Sequence, residues 1–356
     1  MMNTCYQKRR EAVRQKLSEE KLSALLISYP TNRFYLSGFE LHDGQCNESS
    51  GHILIQKNGK DILFTDSRFY EAAKSLWEEE NIVIYSNQME DIRAYLKDKV
   101  QGKIGFESKI VSHHFYEHIS QGVDLEACDG LVEELRLIKD ETEIQALKDS
   151  IAINHKLFAW LPSTFQAGKS ETELALEIEM FFRKHGAAEN SFPPIVAINQ
   201  HAARPHHIPS PDAKLTENCH ILIDTGARYH DYCSDQTRTF WFGDKIDPHF
   251  QTMLEQVQEA QREAIKMLAP GVACQDAHLT ACKVFEKYGV EKAFTHSLGH
   301  GVGLDTHEEP RLSIRSKRLL KPNMIVTVEP GLYYGDYGGI RWEHMVRITE
   351  NGCEVL

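Results

Sequence analysis

The alternation of apolar and polar positions divides the chain into two regions of different grain. In the first, short segments of helical and extended period follow one another. Lys8 to Glu20 carries a charged helical pattern, and Ser23–Ser28 (SALLIS) reads as a buried strand. His52–Gln56 and Ile62–Thr65 flank Asn58-Gly59, a turn signal between apolar runs that predicts a hairpin. Helical Phe69–Glu79, extended Ile82–Tyr85, helical Asp91–Lys99 and extended Lys103–Phe106 continue the alternation. Residues 1–132 are therefore expected to form a small α/β layer domain.

The second region, 133–356, is built of longer pieces. From Val132 to Trp160 there is no Gly or Pro, and Ile144, Leu147, Ile151 and Phe158 recur at helical spacing. Ser170 followed by Glu173 is a capping box that opens a helix ending at Gly186. Two more helices are predicted over Phe250–Leu268, halted by Pro270-Gly271, and over Asp276–Tyr288, ended by Gly289. Extended stretches lie between them, so this domain reads as α+β, helices packed on an antiparallel sheet.

Composition narrows the functional classes. The chain has 356 residues, 41% hydrophobic and 26% charged, an ordinary globular balance that suits two domains. With 40 Lys plus Arg against 52 Asp plus Glu, the net charge of −12 lacks the footprint of a nucleic-acid binder. No apolar run reaches the length of a membrane span, and the polar stretch Met1–Arg10 offers no core for a signal peptide. The eight cysteines form no C-x-x-C pair, as expected for reduced thiols in a cytoplasmic protein. Asn47-Glu48-Ser49 has the form of a glycosylation sequon, without meaning inside a cell.

The chemistry lies in the extended stretches. In CHILIDTGARYHDYCSDQTRTFWF, residues 219–242, Asp224 ends one apolar strand and Asp235 opens the return strand. Met324–Val328 repeats the device, ending in Glu329, and Ile340-Arg341-Trp342-Glu343 leads back into Met345–Ile348. Burying carboxylates against such sequence is costly unless a cation neutralises them. One such acid would suit a structural ion pair; four, in two matching hairpins, point to metal. HSLGHGVGLDTHEEP, 296–310, adds His296, His300 and His307, its glycines predicting a tight loop or strand that lets backbone approach a ligand. His307-Glu308 is no zincin motif, because Arg311 stands where the second His would be. His206 and His207 follow in ARPHHIP. Four acids and an imidazole make a hard set suited to two manganese- or iron-like ions, which activate water and polarise a carbonyl.

Asp224, Asp235, His300, Glu329 and Glu343 with their flanking motifs resemble the creatinase/methionine-aminopeptidase superfamily of the pita-bread fold. Within it, the match is to its proline-specific members, aminopeptidase P and prolidase. NRFYLSGF at 32–39 and LFTDSRFYEAA at 63–73 are similar to the amino-terminal domain of that group, and LRLIKDETEI at 135–144 to its interdomain signature. The resemblance implies two divalent ions, Mn2+ or else Co2+, Zn2+ or Fe2+. Asp224 would be the bidentate ligand of one ion, Asp235 and Glu343 would bridge both, and His300 and Glu329 would complete the other. Glu329 would also take a proton from the attacking water. It further implies His206 at the scissile region, His296 in the proline pocket, His307 at the tetrahedral intermediate, Arg341 as a supporting hydrogen-bond donor, and a homodimer acting on proline-containing peptides.

The chain also departs from the family pattern. RWEHM at 341–345 stands where R-I-E-D is usual, INQHAARPHH at 198–207 replaces a Gly/Asn-rich version, and ELHDGQCNESS at 40–50 replaces a Gly/Ser-containing loop. None removes a ligand. Arg311 falls where prolidases keep an arginine for the free carboxylate of a dipeptide; a surface arginine is the other reading. The size and motif set favour aminopeptidase P, with prolidase as the alternative. Among rival classes, Asp224-Thr225-Gly226 occurs once where an aspartic protease needs two such motifs, and Gly168-Lys169-Ser170 lacks the first glycine of a phosphate loop. A non-catalytic pita-bread binding protein, or a creatine-type hydrolase, would be expected to have lost ligands that are intact here.

Overall fold

The computed structural model describes residues 2–43 and 48–356. Cys46, Asn47 of the sequon and the centre of the divergent 40–50 loop lie outside the described residues. The chain forms two compact units, Met1–Arg136 and Leu137–Leu356.

The first unit is built on a six-stranded sheet whose spatial order is Ile82–Ile84, Ile62–Thr65, His52–Gln56, Ala24–Ile27, Ile104–Phe106 and Leu125–Ala127. The predicted hairpin is present, with His52 opposite Phe64 and Leu54 opposite Ile62. Ala24–Ile27 is buried along its whole length, as a strand covered on both faces must be. It pairs antiparallel with the hairpin and parallel with Ile104–Phe106. Two helices escaped the pattern reading, Pro30–Ser37 and His113–Ile119. The first begins at Pro30 and ends at left-handed Gly38, the proline-in, glycine-out arrangement of a short helix.

The second unit has four long helices: Glu141–Trp160, Glu171–Lys184, Pro248–Met267 and Cys274–Tyr288. The Gly- and Pro-free stretch from Val132 to Trp160 holds two helices, Leu131–Arg136 and Glu141–Trp160, the second carrying the helical spacing of Ile144, Leu147, Ile151 and Phe158. Asp140 caps the longer one and Glu143 reaches back to the Asp140 N–H, a capping box that D-E-T-E had carried in plain view.

Each half of this unit packs helices on a sheet of wholly antiparallel pairs. In one, Leu157, Ile178 and Phe182 meet Val196, Ile221 and Ile223 of the sheet formed by Ile195–Ile198, Cys219–Thr225 and Gln236–Phe242. In the other, Val257, Ala264 and Phe285 meet Val326, Val328 and Val346 of a five-stranded sheet. A buried Leu, Ile or Phe stabilises by about 1.5–3 kcal/mol. Two such cores can therefore hold expensive polar groups at the ends of their strands.

Candidate metal centre

The first pair of acids sits on the Cys219–Thr225 and Gln236–Phe242 hairpin. Thr237 lies opposite Asp224, so Asp235, just before the returning strand, is the diagonal neighbour of Asp224 rather than its direct partner. Side chains two positions apart share a face, and the diagonal distance is within reach of two carboxylates. The second pair is directly opposed. Val328 faces His344 across Ile325–Val328 and His344–Thr349, and one step further along the same register puts Glu329 opposite Glu343. The intervening residues fold into a hairpin of their own, Gly331–Tyr334 with Gly338–Arg341, which returns Arg341 to the site.

His300 is on a strand, Gly299–Gly301, next to Ile325–Val328 in the five-stranded sheet. The flanking glycines allow close packing of this strand. A Cβ on Gly299 would lie 1.9 Å from the Thr327 carbonyl oxygen, and one on Gly301 would lie 2.1 Å from that of Glu309. They admit neighbouring backbone and so bring the His300 strand tight against the acids, with Gly299 itself lining the cavity they share.

Asp224, Asp235 and Glu343 are buried, and each offers an oxygen within 4.8 Å of the others. His300 Nε2 lies 3.6 Å from Asp235 Oδ2 and 3.3 Å from Glu329 Oε1. Its Nδ1–H donates to the Gly301 carbonyl at 2.9 Å, which leaves Nε2 to face the acids. Burial, then repulsion from neighbouring carboxylates, pushes the carboxyls of Asp235 and Glu343 well above the usual range. Burial raises Asp224 too, against the opposing charge of Arg341. Glu329 goes the other way, because the hydrogen bond and charge of His300 outweigh its burial.

Asp224 Oδ1 and Glu343 Oε1 are buried without any hydrogen-bond partner. Orphaned carboxylate oxygens in such a place cost about 1–3 kcal/mol or more each, unless a cation takes them up. The set is acceptor-rich: among the described residues only Arg341 and His300 pair with these acids as cations could. These residues fit divalent metal.

Arg341 is the cationic anchor. It donates to Asp224 Oδ2 at 2.6 Å, to Thr237 Oγ1 at 3.0 Å and to Tyr333 Oη at 2.9 Å, while Thr237 donates in turn to Glu343 Oε2 at 2.8 Å. Tyr333 Oη is also 2.9 Å from His296 Nε2, and His296 Nδ1 is 2.8 Å from the Ser297 carbonyl. Because a carbonyl only accepts, Nδ1 carries the proton and Tyr333 donates to Nε2. Thr237 and Tyr333 escaped the sequence reading, since nothing in their spacing marks a hydroxyl that bridges two hairpins.

Asp224, Asp235, His300, Glu329 and Arg341 line one cavity of about 460 Å³, with Glu343 buried beside them. His206, His296, His307 and Arg311 line the same cavity, so every candidate residue converges on one place. The ring of His307 lies 4.3 Å from that of His300. Phe192, Pro193, Pro194 and Ile195 form an apolar wall.

Residues 145–350 match the model of metallopeptidase family M24, over more than half of the chain. The chain belongs to metallopeptidase family M24. Residues 9–138 match the creatinase/prolidase N-terminal domain, so the pita-bread catalytic domain follows a creatinase-type amino-terminal one. The Xaa-Pro dipeptidase of Pyrococcus furiosus is 32% identical over 341 residues, 96% of this chain and 94% of that protein. The structure of Xaa-Pro dipeptidase from Bacillus anthracis superposes with a TM-score of 0.90 at 32% identity, covering 98% of this chain and 97% of that one. The X-Pro aminopeptidase from Thermotoga maritima superposes with a TM-score of 0.87 at 33% identity, covering 97% and 96%. As an M24 metallopeptidase the chain is a hydrolase of peptides that uses divalent metal, in keeping with the orphaned oxygens. No helix among the described residues is long and apolar enough to cross a membrane.

Proposed function

We propose that this M24 enzyme is a prolidase, hydrolysing Xaa-Pro dipeptides. The observation that carries the reading is Arg311. It lines the cavity of the acids as an exposed side chain, and among the described residues no ion pair of its guanidinium is found, its backbone N–H alone reaching Glu309. A free guanidinium at the rim of a peptide site suits the one carboxylate that a dipeptide presents there and a longer peptide lacks. The dipeptidases among the relatives support the same choice, which moves the balance from aminopeptidase P to prolidase. The likeness to the Thermotoga maritima aminopeptidase favours the second reading, aminopeptidase P.

In this proposal Asp224 would hold one ion, His300 and Glu329 the other, and Asp235 and Glu343 would be shared between them, manganese being the ion best matched to this hard set. Bound ions supply a water nucleophile at neutral pH and polarise the scissile carbonyl. The chain's own groups do the rest. Glu329, whose carboxyl the neighbouring His300 holds well below the usual range in the metal-free chain, would take the proton of the attacking water. Burial and the neighbouring His300 hold His307 down to about 4, so it stays neutral and donates an N–H to the developing oxyanion. His206 stands at the scissile bond and His296 at the proline ring. Proline has no N–H to satisfy, so the apolar wall can select it by packing. Free thiols at all seven described cysteines support a cytoplasmic setting. A homodimer belongs to the same proposal, and a monomer by light scattering at micromolar concentration would count against it.

The test is hydrolysis of Xaa-Pro and Xaa-Pro-Xaa peptides after EDTA treatment and manganese restoration, read by mass spectrometry. Cleavage of the dipeptide alone supports prolidase. Release of the first residue from the tripeptide makes the enzyme an aminopeptidase P. Neither product, with two metals bound, removes the proline assignment.

A further inference from the structure

A second buried carboxylate plays no part in the chemistry above. Glu171 is the first residue of the helix Glu171–Lys184 and is fully buried, and among the described residues only two histidines pair with it as cations could. Its Oε1 accepts from the Ile198 N–H at 2.7 Å and from His201 Nδ1 at 2.9 Å. Its Oε2 accepts from His207 Nε2 at 2.8 Å and from the Ser210 N–H at 2.9 Å. Four donors meet the four lone-pair sites of one carboxylate, and the helix N-terminus favours its charge.

These donors span one segment. Ile198 is its beginning and Ser210 its end; His201 and His207 lie between, their rings 4.5 Å apart. The same segment carries His206 and, with Pro205, Ile208 and Pro209, forms one wall of the metal-centre cavity. A single carboxylate thus fixes both ends and the middle of the loop that presents His206.

Glu171, His201 and His207 also have the composition of a metal site, since one ligand atom from each lies within 4.8 Å of the others. The geometry separates the two possibilities. At the candidate metal centre the imidazole stands 3.3–3.6 Å from its acids and carboxylate oxygens are orphaned. Around Glu171 the nitrogens stand at hydrogen-bond distance, and both oxygens are satisfied by protons.

We propose that Glu171 is a positioning residue for the reaction, a clamp that sets the place of His206 by holding the 198–210 segment through His201, His207 and two backbone amides. The role in turnover rests on the reading of His206 as a group that meets the substrate. Nothing in the segment's sequence announces it, because the clamp comes from a helix start 27 residues before Ile198.

The experiment compares wild type with Glu171→Gln, in which the amide N–H2 faces donors and cannot accept from them. His201 is about one-third exposed, so His201→Leu and His201→Gln give variants that do not risk the fold, the second keeping a donor. Three quantities are read: hydrogen exchange of the 198–210 segment, kcat and KM on Xaa-Pro, and bound manganese or zinc per chain. Glu171→Gln is expected to exchange faster in this segment. Its kcat should fall on the order of 10²-fold, the loss that accompanies a misplacement of about 1 Å, with a much smaller change in KM. His201→Leu should show a part of the same loss, which His201→Gln restores. Metal content should stay as in wild type. Unchanged exchange in Glu171→Gln overturns the clamp, and faster exchange with wild-type kcat overturns its role in turnover. Loss of one bound ion in Glu171→Gln replaces the clamp by a third metal site. A wild-type enzyme that cleaves no Xaa-Pro peptide overturns the prolidase reading, while the exchange measurement still decides the clamp.

Discussion

Replacing Arg341 by methionine is the sharpest probe of the electrostatic frame at the metal centre. The arginine is buried and its guanidinium donates to Asp224, Thr237 and Tyr333, with a longer contact of 3.4 Å to the Pro205 carbonyl. Methionine keeps much of the volume and removes every one of these bonds. Breaking a buried ion pair costs about 3–5 kcal/mol, because the surviving charge is stranded. Asp224 can relieve part of this by taking up a proton, a change that burial already favours. The lower end, about 3 kcal/mol, is therefore expected for metal-free enzyme. At about 2–4 °C per kcal/mol for a unit of this size, Tm should fall by about 6–12 °C. Divalent metal at Asp224 replaces the lost positive charge, so the drop should shrink when manganese saturates the protein. Lysine at the same position offers Asp224 a point charge but not the fork that reaches Thr237 and Tyr333, and should fall between the two. Differential scanning calorimetry of wild type, R341M and R341K, each with EDTA and with manganese, checks all three statements. An R341M variant as stable as wild type without metal, or a drop that manganese leaves unchanged, would refute the reasoning.

Other perturbations follow from the same geometry. Asp235→Ala should abolish turnover and lower bound metal measured by mass spectrometry; full activity with two ions bound would sink the ligand assignment. Gly301→Ala drives a Cβ against the Glu309 carbonyl and should cost about 1–3 kcal/mol or more while displacing His300. Gly352→Ala, with nothing near its Cβ, serves as the control for Tm and metal content. Arg311→Leu should raise KM for the dipeptide about tenfold or more, the loss of one charge-assisted pair, and leave any tripeptide cleavage unmoved. Equal effects on both peptides would show that Arg311 is no carboxylate clamp. In the first unit, burial and then the charge of Arg33 hold His52 down to about 3, while its ring bonds Ser28 and Gln88. The unfolded chain takes up this proton below the ordinary 6.5 and the folded one only near 3. Stability should therefore fall as pH drops through that window, with a slope of about 1.4 kcal/mol per pH unit from this group. His52→Gln should flatten the acid limb of the denaturation profile, and an unchanged limb would remove His52 as its cause.

Some of this was legible residue by residue. The Asn58-Gly59 hairpin, the capping box at Ser170 and the apolar strands that end in Asp224 and Glu329 depend on neighbours within a few positions. Local chemistry of that kind is written in the order of residues, and for that reason the acid and histidine candidates could be named before any coordinates. Helix boundaries were harder, as Asp140 shows: hydrophobic period runs through a break that only the cap betrays.

The remainder depended on pairings that no local pattern encodes. Arg341 meets Asp224 across 117 positions, and Thr237 meets Glu343 across 106. The glycines around His300 proved to be a matter of strand contact, because only the assembled sheet shows which backbone they face. Glu171 looked like an ordinary acid at a helix start until the fold laid residues 198–210 over it. The sequence by itself determined the acid and histidine candidates and the apolar strands that carry them, since period and capping act over a few residues. Tertiary structure alone decided which of those groups share protons, charge and space, because burial and long-range pairing set the electrostatics of each one.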